Sequence, residues 1–186
     1  MLPELMEREQ ATDGSEKTEE LYQKALGEVE RWNLDEAEAT LKELLEIDDS
    51  HAEAYNKLGV VFARREDPDQ AEKCFAAAVH YNPELAPAYS NLGNVYQQKE
   101  WNDRALAAYE KAIAIDSEYA PAHHNLGVLY KKMGRIGDSV DLLKKASRLE
   151  RSNVRAEMKR SPQGKKMSMW IWVAAGLAAF YFLFMR

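Results

Sequence analysis

A Leu-Gly pair recurs at Leu58-Gly59, Leu92-Gly93 and Leu126-Gly127, 34 residues apart each time. Nothing else in the chain limits its fold as much, because a whole pattern travels with the pair. The column three residues after the glycine reads Phe62, Tyr96, Tyr130, and the column twelve after it reads Ala71, Ala105, Ser139. Phe75, Tyr109 and Leu143 follow, then Ala78, Ala112 and Ala146. Large apolar and very small residues thus alternate at helical offsets. Each unit is expected to hold two amphipathic helices whose backbones approach closely at glycine and alanine while larger side chains fill the remaining space.

This pattern resembles the tetratricopeptide repeat, a helix-turn-helix unit of 34 residues that stacks into a solenoid. The resemblance is strong from 52 to 151, in units that begin at Ala52, Ala86 and Ala120. A degenerate unit precedes them from Thr18, with Ala25 in the glycine column, Ala37 in the alanine column, and Leu41 and Leu44 below. Asn82-Pro83 closes one unit as the family prefers, whereas Asp49, Ser117 and Arg151 stand where proline is expected. The implied fold is an all-α solenoid of three clear repeats and one degenerate repeat, in units of about 18–51, 52–85, 86–119 and 120–153. Helices are expected at 18–31 and 34–47, 52–65 and 68–81, 86–99 and 102–115, 120–133 and 136–150. Pro87 and Pro121 fall in a first helical turn, where a missing N–H costs nothing, and Asp67-Pro68 reads as an N-cap followed by N1. Residues 1–17 are polar and acidic and read as a mobile leader.

The chain carries a net charge of −6 with 30% charged residues, as a soluble domain would, yet one segment departs from that average. From Met169 to Met185 it has no charge, and at 1.5 Å per residue this stretch spans about 26 Å, close to a hydrocarbon core of about 30 Å. With only Arg186 beyond it, 167–186 reads as a single C-terminal transmembrane helix, a tail anchor. Trp170 and Trp172 suit the near interface and Tyr181 the far one. Lys159, Arg160, Lys165 and Lys166, in a basic juxtamembrane linker over 152–166, place the repeats on the cytoplasmic side and offer contacts to anionic membrane lipid. The hinge is read at Ser161-Pro162-Gln163-Gly164, with the preceding helix continuing through Val154 and Met158. Residues 1–50 hold sixteen acidic and five basic side chains, whereas 144–166 hold nine basic and two acidic. A net negative chain without basic, aromatic-interleaved patches argues against nucleic acid.

In a solenoid of this family the first helix of each pair lines the concave groove. Counting from the start of each unit, position six gives Lys57, Asn91 and Asn125, and position nine gives Val60, Asn94 and Val128. A carboxamide both donates and accepts, so asparagines here could satisfy the backbone of an extended peptide without reading its side chains. The row is similar to that in the repeat domain of O-linked N-acetylglucosamine transferase, with Lys57 replacing one asparagine. Tyr22, Asn56, Ser90 and His124 are expected beside it, with Arg64, Gln97, Gln98, Lys131 and Lys132 toward the edge. Some members of the family grip chaperone tails through a basic clamp, but Pro121 and Asn125 occupy positions where that clamp needs a cation.

No catalytic or metal constellation emerges. His51, His80, His123 and His124 lack ligand spacing, Cys74 is alone, and no phosphate loop or nucleophile-base pair is present. His123 stands where Tyr55 and Tyr89 stand in sister units, which makes it a packing residue. The sequence therefore predicts a protein without enzymatic activity or cofactor: a membrane-anchored adaptor that binds another protein in its groove, with assembly of a membrane complex as an expected role. The principal alternative is a homo-oligomeric scaffold that assembles through its solenoid ends and the small residues of the anchor. A fission-type tail-anchored protein fits less well, given the clear repeats and thin basic tail.

Overall fold

The computed structural model describes residues 2–160. Among them are eight helices: α1 (Leu2–Glu30), α2 (Leu34–Ile47), α3 (Ala52–Arg64), α4 (Pro68–Tyr81), α5 (Ala86–Gln98), α6 (Asn102–Ile115), α7 (Ala120–Lys132) and α8 (Ile136–Arg160). They pack as four antiparallel pairs, each leaning on the next. First helices of neighbouring pairs also touch one another, whereas the second helices of neighbouring pairs do not. The array must therefore curve, with α1, α3, α5 and α7 on its inner side and α2, α4, α6 and α8 splayed outside.

The repeating columns build the core. Phe75 packs into the gap left by Gly59, Tyr109 into that left by Gly93, and Leu143 into that left by Gly127. Ala71, Ala78, Ala105 and Ala112 are fully buried, letting the helices approach. The first unit sets Lys24-Ala25 in the register of the Leu-Gly pair, its own Leu26-Gly27 falling two residues past it, yet Leu21, Ala25, Val29, Ala37, Leu41 and Leu44 form one cluster with Ala54, Leu58 and Val61 of α3. Cys74 is buried in the same cluster, and that burial pushes its thiol up to about 11.

Helix starts and ends follow from local chemistry. The Asp67 side chain accepts the Gln70 N–H at 3.0 Å and Pro68 opens α4, while His51 Nδ1 accepts the Ala54 N–H at 3.2 Å. Each first helix ends in one device, the paired bonds of a Schellman motif. At α3 these are Glu66 N–H to Ala63 carbonyl, 3.2 Å, and Asp67 N–H to Phe62 carbonyl, 3.0 Å; equivalent pairs close α1, α5 and α7. The motif needs a left-handed residue, and it falls at Trp32 (φ 63°), Glu66 (φ 61°), Glu100 (φ 61°) and Gly134 (φ 80°). Only the last turn uses glycine. A Cβ at Gly134 would meet nothing within 4 Å, so Gly134→Ala isolates the backbone cost. It should lower stability by about 1 kcal/mol in urea unfolding, and an unchanged midpoint would contradict the strain.

Two repeat junctions are also clamped by charge. Arg65 reaches back from the end of α3 to Asp35 and Glu38 of α2, and Lys99 from the end of α5 to Asp69 and Glu72 of α4, at 2.6 Å each. Hydrogen bonds from Lys42 and then Arg65 hold the Glu38 carboxyl below its ordinary range. At the third junction the same column holds Met133, opposite Asp103 and Leu106, and the clamp is absent.

Two expectations change. The acidic stretch from 2 to 17, read as a leader, is continuous with the backbone of α1. The expected transmembrane helix is not part of the observed fold, which is an all-α solenoid of eight helices. No helix among the described residues is long and apolar enough to cross a membrane. The last of them, α8, has the length of a span at 25 residues but carries charges throughout, from Asp138 and Asp141 to Arg155 and Glu157. Residues 167–186, with Trp170, Trp172 and Tyr181, lie outside the described residues, as do Lys165 and Lys166; Lys159 and Arg160 are seen as the backbone end of α8.

Candidate functional site

The inner face is built by one stripe of each first helix, because positions five, six and nine share a side of an α-helix. The stripe is polar at all three positions only on α5, with Val60 and Val128 at position nine of α3 and α7, and its carboxamides bind each other across the helix gaps. Asn91 donates to Asn56 Oδ1 at 2.9 Å, and Asn125 donates to Asn94 Oδ1 at 2.8 Å and to Ser90 Oγ at 3.4 Å. The bonds run from position six of one unit to positions five and nine of the unit before. Asn56 and Ser90 are buried beneath them, at 7% and 1% exposure, so their role is to hold the row.

Tyr109 enters this row from below. Its hydroxyl lies 2.8 Å from Asn94 Oδ1 and 3.0 Å from Gln97 Oε1, and burial raises its phenol far above the ordinary range. A phenol has one hydrogen, so it donates to one of these groups at a time. This link is absent from the sequence reading, though a signal exists. Position nine is asparagine only in the unit whose core ring is tyrosine: Asn94 with Tyr109, against Val60 with Phe75 and Val128 with Leu143. A buried hydroxyl needs a polar partner, and the two departures supply each other.

Between α3 and α5 the inner face opens into a cavity of about 250 Å³ with Val60, Ala63, Arg64, Asn91, Asn94 and Gln98 on its wall. Arg64 is already engaged, donating to the Val29 carbonyl and lying 4.6 Å from the Trp32 ring centroid. Lys57 is half-buried, whereas His124 and Lys131 are exposed and Lys132 sits 3.9 Å from Glu100. Tyr22 lies against His51 rather than in the asparagine row, at 5.3 Å between ring centroids. Its phenol is raised by burial and then by Glu53 and Glu19. His123 is buried and bonded through Nε2 to the Ser117 carbonyl at 2.9 Å, a packing position.

Three chemical groups of the row remain free of intramolecular bonds among the described residues: Asn91 Oδ1, Asn125 Oδ1 and the Asn94 amide N–H groups. Two acceptors flank a donor. That is the complement of a peptide unit, which carries one N–H and one carbonyl. No group of three or more His, Cys, Asp or Glu side chains suited to a metal occurs among the described residues.

Comparison with known proteins agrees with this architecture. Family models described as "Tetratricopeptide repeat" match residues 52–85 and 120–153, and one described as "TPR repeat" matches 102–134. The crystal structure of MamA is similar at 28% identity, covering 74% of this chain and 81% of that one, with a TM-score of 0.63. PilF of Pseudomonas aeruginosa is similar at 23% identity, covering 86% of this chain and 72% of that one, with a TM-score of 0.69. The first repeat domain of Spaghetti (RPAP3), solved bound to the HSP90 peptide SRMEEVD, is 19% identical, covering 64% of this chain and 95% of that one, with a TM-score of 0.60. The last two likenesses speak for the fold alone. No curated protein matches the chain. Its periodic columns, its four helix pairs and the matches along 52–85 and 102–153 show that the chain carries tetratricopeptide repeats.

Proposed function

We propose that this protein is an adaptor whose inner groove holds an extended segment of a partner protein across α3, α5 and α7. The observation that carries the reading is the cavity beside Asn91 and Asn94, with its unused donors and acceptors. A peptide laid there would accept at its carbonyl from the Asn94 amide and donate its N–H groups to Asn91 Oδ1 and Asn125 Oδ1. Recognition through the backbone tolerates varied partner sequences, with Lys57 and Lys131 adding preference for acidic flanks. A repeat domain of like fold has been solved bound to a peptide.

The test is peptide display panned on the intact chain, with affinities of enriched peptides measured by fluorescence polarisation. Asn91→Ala with Asn125→Ala should weaken them by roughly tenfold or more, since two hydrogen bonds of about 1 kcal/mol each are lost. Enriched peptides that bind both proteins equally would remove the groove from consideration.

A second reading, self-assembly through the solenoid ends, is favoured by Ile136 and Val140, which stand 56% and 41% exposed on the last pair. Sedimentation that stays monomeric at rising concentration would exclude it.

A further inference from the structure

The third unit departs from its sisters in the stripe of α6 that meets the side of α5 facing away from the groove. Tyr89, Leu92 and Tyr96 form a stripe there, nearly opposite Asn91, Asn94 and Gln98 on the helix. The facing stripe of α6 reads Arg104, Ala107, Ala108, Lys111. In α4 the same positions are Gln70, Lys73, Cys74 and Ala77, and in α8 they are Asp138, Asp141, Leu142 and Lys145. Only α6 sets two small residues between two cations. A hollow of about 300 Å³ results, with an apolar floor of Leu92, Ala107 and Ala108 and a rim of rings and cations.

The cations are held but not neutralised. The Arg104 guanidinium lies 5.0 Å from the ring centroids of both Tyr96 and Trp101, and the Lys111 ammonium 5.8 Å from that of Tyr89. Neither forms an ion pair among the described residues, in contrast to Arg65 and Lys99, which each meet two carboxylates. Stacking on a ring fixes the head of a long side chain and leaves its N–H groups to a ligand.

We propose that this hollow is a second docking site, independent of the groove, for a partner segment carrying one large apolar side chain between two carboxylates. Arg104 and Lys111 are seven residues apart on α6, a rise of about 10.5 Å. In an extended peptide the side chains at i, i+2 and i+4 share one face, so acids at i and i+4, about 13 Å apart along the chain, lean inward to both cations while the side chain at i+2 enters over Leu92 and Ala108. Asp103 and Glu110 on the same helix would repel a continuous polyanion, which selects a short segment with spaced charges over a nucleic acid.

The test titrates three fluorescein-labelled peptides into the intact chain: Ser-Asp-Ser-Trp-Ser-Glu-Ser, its serine-centred form Ser-Asp-Ser-Ser-Ser-Glu-Ser, and the lysine form Ser-Lys-Ser-Trp-Ser-Lys-Ser. Only the first should saturate. Its binding should weaken by roughly tenfold in Arg104→Glu with Lys111→Glu, and equally in Ala107→Leu, which fills the hollow from an exposed position without touching the charges. Asn91→Ala with Asn125→Ala should leave it unchanged, which separates failure of this site from failure of the groove. Absence of saturation, equal binding of the serine-centred peptide, or indifference to Ala107→Leu would overturn the proposal. So would loss of binding in the groove variant.

Discussion

Gly93→Ala is expected to lower unfolding free energy by about 3 kcal/mol, the upper end of what a single added methyl costs in a packed core. The new Cβ would stand 2.4 Å from Cε1 and 2.6 Å from Cδ1 of Tyr109. The ring has nowhere to go, because it is fully buried and its hydroxyl is tied to Asn94 and Gln97. The same substitution at the sister glycines grades the effect. At Gly59 the obstacle is the Phe75 ring at 2.6 Å, and at Gly127 it is the flexible Leu143 side chain at 3.0 Å. The loss should therefore fall in the order Gly93, Gly59, Gly127. Tyr109→Leu, which installs the fourth unit's solution, should make the double variant with Gly93→Ala less unstable than the sum of the two changes. Urea unfolding of all four proteins decides it: additivity, or a Gly93→Ala variant within about 0.5 kcal/mol of the parent, would refute the packing argument.

That column was legible in the sequence because its cause is periodic. Close helix approach requires glycine in one helix and a filler in the other, so the requirement repeats every 34 residues. The helix ends were legible for the same reason, at Asp67-Pro68 and at Pro87 and Pro121. The left-handed turn residues were not, since three of the four are Trp32, Glu66 and Glu100, and no side-chain preference betrays them. Nor were the junction clamps, which join residues about 30 apart through charges common on any solvated face. The asparagine row was half legible. Composition put Asn91 and Asn125 in one register, but stacking sets each beside the fifth and ninth positions of the preceding unit, so Asn91 meets Asn56, and Asn125 meets Asn94 and Ser90, rather than Lys57 and Asn91. The Trp101 and Arg104 surface lay unread because it appears only as a departure from the sister units.

Leu41→Ala should cost about 2–5 kcal/mol, the range for emptying a fully buried leucine site, although it lies in a unit that no family model matches. Leu41 is 0% exposed and belongs to the cluster that joins α1 and α2 to α3, so its loss weakens both the unit and its attachment. In a stacked array each unit contacts only its neighbours, and stability divides into unit and interface contributions. The loss should therefore appear locally in hydrogen exchange, with α1 and α2 amides losing protection while α5, α6 and α7 keep theirs. Leu129→Ala, equally buried near the other end, should give the mirror result in α7 and α8. The polar attachments make the first case the more informative. Arg64 still bonds the Val29 carbonyl, and Arg65 still meets Asp35 and Glu38, after the leucine is truncated. Exposed charges of this kind contribute about 1 kcal/mol or less, too little to replace the lost apolar contact, so α1 and α2 should open together while α3 stays folded. Equal loss of protection in all the helices would mean that the array unfolds as one block and that the degenerate unit is as strongly coupled as the regular ones.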